Sequence, residues 1–427
     1  MAPPNPSSRP HYYKIVNKQQ TASASLLFAQ HKETKERVVI KILRDYKVTR
    51  YSLATSEERL QYQREALYWN KVFTLQVYMG VARILGWSYN PDSIVIGEII
   101  ENPSRENTVP NAEYALVMHE LPTARRLDIL LKDRDEMKLQ SHIHLLTEYV
   151  AYMHTKLIEP PIFSMDSPIW GSFEQVQKKL EENLNLLDLV LISSENDTPD
   201  SSILLKVTLW QMIPQSWYQR YQEYHIKHCR GDLKFSKRLR DILDPLKENL
   251  RQVFRVKPYR QYLEQRIKEH RIKRCHGDLK APHIWIAPYS PCFHGEAWKY
   301  VCVLDAIDFN PTFYNIDVLS DLAMLIIDIQ ARTQSPELAN LMIEGYLELT
   351  DQKDEVSRSV LAYYLVEKAI MWAAVSIVYD DLPELGLTFL KIAEQHMKDL
   401  MDGDLIWRAD TLIGIPPLTS LLAYHSK

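Results

Sequence analysis

Glycine is scarce in this chain. Its 11 glycines in 427 residues, against an average usage of roughly 7%, exclude folds that repeat glycine turns, such as propellers and collagen. Cysteine is sparser still: Cys229, Cys275, Cys292 and Cys302 lack metal-ligand spacing and are too few for a disulfide scaffold, which suits a reducing compartment. The first ten residues are polar and proline-rich, with no basic stretch followed by an apolar one, so no secretory leader is expected. The apolar run over 318–329 is cut by Asp321 and Asp328, which argues against a membrane span there. Together these absences predict a cytoplasmic protein with no membrane partner.

What is present points to an ordinary globular chain. Hydrophobic residues make up 46% and charged residues 25%, which excludes wholesale disorder. A length of 427 residues exceeds the ~250–300 that one core usually serves, so two or more lobes are expected. A net charge of −4 argues against nucleic acid as a partner. The charge is uneven, since residues 226–275 hold 16 Lys and Arg against 6 Asp and Glu, yet acidic residues recur among them at helical spacings, as on a solvated helix face.

Strand patterns dominate the first 120 residues. Residues 24–30 and 38–43 flank a polar turn and read as a hairpin; 81–87, 93–100 and 114–118 read as further strands, with a polar loop over 101–112. One helix lies between the groups, opened by the capping-box pair Thr55 and Glu58 and continued by Leu60, Leu67 and Phe73. Beyond Pro122 the period turns helical over 139–157, 173–192, 236–269, 335–349 and 355–379. The expected division is a flexible N-terminus over 1–10, a sheet region over 11–120 and a helical region over 121–427. Residues 193–202 read as an exposed loop.

Two segments carry chemistry. The first, 274–286, contains His276-Gly277-Asp278-Leu279-Lys280, and the second, 300–310, contains Asp305-Ala306-Ile307-Asp308. Each joins a strand-like apolar run to an aspartate at a turn or strand end. Phosphoryl transfer needs such a pair, one carboxylate to accept a proton from the attacking hydroxyl and one to hold the metal on the nucleotide phosphates. Asp278 suits the first role and Asp305 the second. A similar string, Arg230-Gly231-Asp232-Leu233-Lys234, lacks a following strand and reads as a turn.

These motifs resemble those of the aminoglycoside phosphotransferase and choline kinase-like superfamily, whose catalytic loop is His-Gly-Asp-Leu followed four residues later by Asn. Similar stretches to Tyr78–Val81, Tyr114–Met118, Asp305–Asn310 and Ile316–Ala323 occur in bacterial proteins of the aminoglycoside phosphotransferase group, so the resemblance spans most of residues 35–350. It implies an α+β, bilobal protein-kinase-like fold, with a sheet-based N-lobe and a mainly helical C-lobe. It further implies that Lys41 contacts nucleotide phosphates with Glu65 as its ion-pair partner, that His119, Glu120 and Leu121 form the hinge beside the base, and that His276 braces the loop. Asp278 would be the catalytic base and Asp305 the metal ligand, with Asp308 as rival ligand. Asp317 and Asp321 share a helix face, where they would support the site or favour the helix N-terminus.

The sequence departs from that family at two places. No glycine precedes Gly80, so residues 21–25 would stand in for a glycine-rich phosphate loop. His283 occupies the place of the metal-binding asparagine, and imidazole suits Mn²⁺ better than Mg²⁺. The resulting expectation is a kinase that uses ATP or GTP with Mg²⁺ or Mn²⁺ to phosphorylate a hydroxyl of a sugar, aminocyclitol or amino alcohol. The alternative is a pseudokinase acting through nucleotide or protein contacts.

Overall fold

Alternation of buried and exposed residues shapes the N-terminal part. The computed structural model describes residues 10–21, 23–45, 47–48, 51–74, 76–87, 92–104, 106–161, 169–195, 233–286, 301–308, 310–378, 380 and 382–402. Strands β1 (His11–Gln20), β2 (Ala24–His31) and β3 (Arg37–Leu43) precede a short hairpin of β4 (Lys47–Val48) and β5 (Tyr51–Ser52). Helix α1 (Ser56–Phe73) follows, then β6 (Tyr78–Trp87), β7 (Ser93–Ile100) and β8 (Tyr114–His119). The six long strands close into an antiparallel barrel in the order β1-β2-β3-β8-β6-β7, with His11 opposite Ile96 at the seam. Inward side chains such as Tyr13, Ile15, Leu27, Val38, Ile40, Ile94, Ile96 and Val117 fill it, as the two-residue period of a strand requires.

The strands expected at 24–30, 38–43, 81–87, 93–100 and 114–118 are all present. Strand β1 was not anticipated. Only Tyr13 and Ile15 of its ten residues are buried, so its polar outer half hides the alternation. Helix α1 carries the predicted cap: Thr55 Oγ1 accepts from Glu58 N, and the Glu58 carboxylate accepts from Thr55 N. Its buried face, Leu60, Ala66 and Leu67, packs against Val81, Tyr114 and Leu116, and the same cluster includes Cys302 and Leu304. The barrel and the second chemical segment therefore share a core.

From Leu127 onward the chain is mainly helical. It runs through α2 (Leu127–Leu130), α3 (Glu136–Tyr152) with a π turn over Met153–Leu157, α4 (Phe173–Glu195), α5 (Leu233–Val256) and α6 (Tyr259–Lys268). Two small hairpin-like sheets follow: β9 (Ile272–Arg274) pairs with β12 (Asn315–Asp317), and β10 (Ile284–Ile286) pairs with β11 (Val301–Val303). Helix α7 (Pro311–Tyr314) precedes β12, and α8 (Val318–Thr333), α9 (Pro336–Leu349), α10 (Glu355–Val378) and α11 (Pro383–Asp402) complete the described part.

The helix expected over 236–269 is two helices, because Pro258 has no N–H to continue α5 and instead caps α6. The apolar run at 318–329 is the buried helix α8, and α11 was not anticipated. Residues 193–195 continue α4 rather than starting a loop; 196–202 and 230–232 lie outside the described residues. Among those described, α10 is the one helix long and apolar enough to cross a membrane, and 83% of its most apolar window is buried against α11, α8 and α4. It is packed as the central helix of the core.

Candidate active site

The site is assembled where β9 and β11 deliver their C-terminal loops beneath the barrel. After β9 the chain turns through Gly277 at φ +83°, and a Cβ there would stand 2.7 Å from Phe313 O; glycine is required on both counts. The turn is held from behind by Asp321 of α8, whose carboxylate accepts from His276 N (3.1 Å) and Gly277 N (2.9 Å). Burial alone would raise the Asp321 carboxyl, but hydrogen bonding to His154 and the charges around it hold it low. His154, also buried, links Asp321 at 3.3 Å to the Tyr346 hydroxyl at 2.8 Å. Of the two readings of Asp321, loop support is the one the contacts favour, whereas Asp317 caps α8 through Leu319 N and pairs with Arg266.

His276 is fully buried and stitches the two segments together. Its Nε2 lies 3.0 Å from Leu304 O, so this nitrogen donates, and Nδ1 accepts from Asp278 N at 3.3 Å. Its own carbonyl accepts from Ile307 N at 2.9 Å. Burial pushes the imidazole below its ordinary value. Both ring nitrogens are thus engaged in contacts within the two segments.

Asp278 faces Lys280 and His283. Lys280 Nζ stands 2.8 Å from Asp278 Oδ2, and His283 Nδ1 stands 3.6 Å from that oxygen and 3.0 Å from Asp278 O. Burial alone would raise the Asp278 carboxyl, but His283 and Lys280 together hold it below the ordinary value. Because a carbonyl only accepts, His283 Nδ1 is the protonated nitrogen, and the Nε2 lone pair is left pointing toward Asp305 Oδ2, 3.9 Å away.

Asp305 sits at φ +64° just past β11, a conformation unusual for a side-chain-bearing residue. Buried groups of α1 and β6 maintain it: the Tyr78 hydroxyl accepts from Asp305 N (3.1 Å), Asn70 Oδ1 accepts from Ala306 N (3.0 Å), and Tyr78 donates to the same Asn70 oxygen (3.1 Å). The Asp305 side chain is 60% exposed, and Lys41 Nζ reaches its Oδ1 at 3.1 Å. Lys41 holds this carboxyl well below the usual carboxylate range, and Asp305 in turn raises Lys41. Asp308 accepts from the Tyr62 hydroxyl of α1; burial pushes its carboxyl up to about 6, against the pull of Lys41 and Tyr62.

The structure thus brings Lys41, Asp278, His283 and Asp305 together, with His276 behind them. It does not bring Glu65 to Lys41. The amine of Lys41 is paired with Asp305, while Glu65 accepts from Gln61 at 2.9 Å and lies toward Arg274 and Tyr314. The face of α1 that meets the site presents Tyr62 and Asn70, one turn to either side. At the hinge, His119 N donates to Val77 O and Glu120 N to Arg37 O, and the Glu120 carboxylate pairs with Arg37 at 2.8 Å. Leu121 packs against the α1 cluster. Four residues of the site, Tyr62, Asn70, Tyr78 and Lys280, were not singled out by sequence. For Asn70 a signal existed: an amide on the apolar face shared with Leu67 and Phe73.

No protein-family model matches the chain, and no curated protein is similar to it. Among solved structures, choline kinase from Cryptosporidium parvum Iowa II is similar at 14% identity over 98% of this chain and 95% of that one, with a TM-score of 0.45. Plasmodium vivax ethanolamine kinase is similar at 13% identity, over 92% and 84% respectively, with a TM-score of 0.40. A microcompartment-associated aminopropanol kinase is similar at 10% identity, over 93% and 94%, with a TM-score of 0.38.

Proposed function

We propose that the chain is a small-molecule kinase, transferring the γ-phosphoryl group of ATP or GTP to a hydroxyl of a small acceptor. One observation carries this reading: Lys41 from the barrel, Asp305 after β11, and His283 and Asp278 from the loop after β9 form a continuous run of polar contacts, none longer than 3.9 Å. Lys41 would bind the nucleotide phosphates. With the His119 and Glu120 amides already spent on the barrel, the Leu121 N–H and the hinge carbonyls would meet the base. Asp278, kept ionised by its neighbours, would accept the proton of the attacking hydroxyl.

The donor set fits a divalent cation, because an ionised carboxylate oxygen of Asp305 and the free Nε2 of His283 face each other across 3.9 Å. Such a cation supplies charge neutralisation of the phosphate oxygens. Imidazole favours Mn²⁺ over Mg²⁺. The rival reading is a pseudokinase, favoured by His283 in place of an asparagine. Calorimetry of ATP with each metal separates the two: metal-dependent binding followed by turnover supports the kinase, and no binding with either metal overturns it.

A further inference from the structure

Helix α8 sets two buried carboxylates against the loop of Asp278. Asp321 holds the start of that loop through His276 N and Gly277 N. Asp328, 3% exposed, holds its end: Oδ2 accepts from Ala281 N at 2.7 Å, and Oδ1 accepts from Arg332 Nε at 2.8 Å, one turn along the same helix. The two aspartates stand seven residues apart, two turns and about 10 Å along the axis. They share a face of α8 and clamp the segment Asp278-Leu279-Lys280 at both ends.

The hydrogen bond at Ala281 answers a local need. Ala281, Pro282 and His283 form a single 3₁₀ turn with Lys280 at its N-cap, and the first N–H groups of such a turn have no partner within it. Pro282 has no N–H, and Lys280, which only donates, supplies no side-chain cap. Ala281 N is therefore the orphan donor, in a residue wholly buried, and Asp328 caps it from another helix. Capping from outside lets the N-cap residue be a lysine, whose Nζ stands 2.8 Å from Asp278 Oδ2. The last residue of the turn is His283. Its N–H closes the turn on Lys280 O at 2.9 Å, and its carbonyl accepts from Leu304 N at 2.8 Å, next to Asp305. With its backbone fixed at both ends, the ring lies where Nδ1 meets Asp278 O at 3.0 Å and Nε2 faces Asp305.

We propose that Asp328 is a positioning residue for the site: through Ala281 N it sets the turn that aims Lys280 at Asp278 and His283 Nε2 at Asp305. Outer partners of this kind orient the groups that hold a metal. The inference deepens the kinase reading and rests on it for the effect on metal and nucleotide, whereas the placing of the His283 ring is independent of that reading.

Two double variants of the full chain separate positioning from packing. The removal variant, Asp328→Ala/Arg332→Leu, deletes the acceptor and the ion pair together, so that no charge is left unpaired. The rescue variant, Asp328→Asn/Arg332→Gln, also deletes both charges but keeps an amide oxygen for Ala281 N and gives the amide NH₂ an acceptor. The first readout is the ¹⁵N shifts of the His283 ring in the nucleotide-free chain, at a pH where the ring is neutral. Wild type and the rescue variant should show the Nδ1–H tautomer, and the removal variant should move to the Nε2–H form that a free histidine side chain prefers. The second is calorimetry of ATP with Mn²⁺, whose affinity should fall about 10-fold or more in the removal variant and stay near wild type in the rescue variant. An unmoved tautomer in a folded removal variant overturns the proposal, as does loss of the Nδ1–H form in the rescue variant, or an unchanged affinity in the removal variant where wild type binds ATP. Rapid exchange of the Ala281 amide in wild type, beside slow exchange at Gly277, overturns it whether or not the variants fold. Failure of wild type to bind ATP with either metal would overturn the kinase reading and leave the tautomer result to decide this one.

Discussion

Asp278 and Asp305 are both carboxylates beside cations, and their surroundings give them different tasks. Asp305 is exposed and paired with Lys41, whereas Asp278 is held between Lys280 and His283. Asp278→Asn should therefore leave nucleotide affinity nearly intact and lower turnover by roughly 10²-fold or more; calorimetry beside a coupled turnover assay measures both. Equal loss of nucleotide binding would make Asp278 a metal ligand instead. His283→Asn should keep activity and move metal preference toward Mg²⁺, and His283→Ala should lose more, since it offers no ligand atom. An alanine variant that matched asparagine would remove His283 from the metal site.

Asp308 gives a pH-dependent expectation. Its carboxyl titrates near 6 in the folded chain, above the ordinary value of 3.8, so the folded state binds this proton more tightly than the unfolded one. Its contribution to stability is present below the unfolded value and is lost as pH rises through about 6. Asp308→Asn, which does not titrate, should melt above wild type at pH 7.5 and lose that advantage at pH 4.5. Equal melting differences at both pH values would show that burial does not govern this carboxyl.

At the scale of elements, buried polar joints decide what holds. Arg266 of α6 bonds Asp317 through Nε (2.8 Å) and Nη2 (2.6 Å), and its Nη1 reaches Gln352 and Ser357. Both members of the ion pair are fully buried. Asp317→Asn strips the charge from one partner only, and should destabilise by about 3–5 kcal/mol in denaturant unfolding; a loss below 1 kcal/mol would show that the pair is not sealed from water. The basic stretch behaves differently. Within its described part, Arg238 meets Glu384 (2.7 Å), and Arg251 meets Glu248 (3.2 Å). Lys247 pairs with Asp188 and Arg260 with Glu174. Three of these pairs reach neighbouring helices, and Arg251–Glu248 lies within α5. Reversing Lys237 and Arg238 to glutamate should cost no more than about 1 kcal/mol and leave nucleotide binding unchanged; a large loss of affinity would place a ligand there.

The same scale shows what sequence could reveal. Strand and helix periods are local, so five barrel strands and α1 with its cap were legible, as were the two aspartate turns. Strand β1 escaped because two buried side chains in ten give too short an alternation, and the break at Pro258 was hidden by apolar spacing that continues across it. The Lys41–Asp305 contact joins residues 264 apart in the chain, and no spacing rule reaches that far. Nor could spacing show that α1 is turned so that Tyr62 and Asn70, rather than Glu65, face the site. That rotation is set by Leu60, Ala66 and Leu67 seeking the barrel and β11 together.

For the whole molecule, the closed barrel constrains the order of assembly. Strand β8, last in sequence of the six, lies between β3 and β6. Until residue 119 has left the ribosome, the other five strands can form only an open sheet in the order β3-β2-β1-β7-β6, and its edges β3 and β6 have no partner. Unpaired edges invite pairing with other chains. The N-terminal part is thus aggregation-prone as a nascent fragment and closed once β8 is in place, and a gene fragment ending before Tyr114 would leave both edges open.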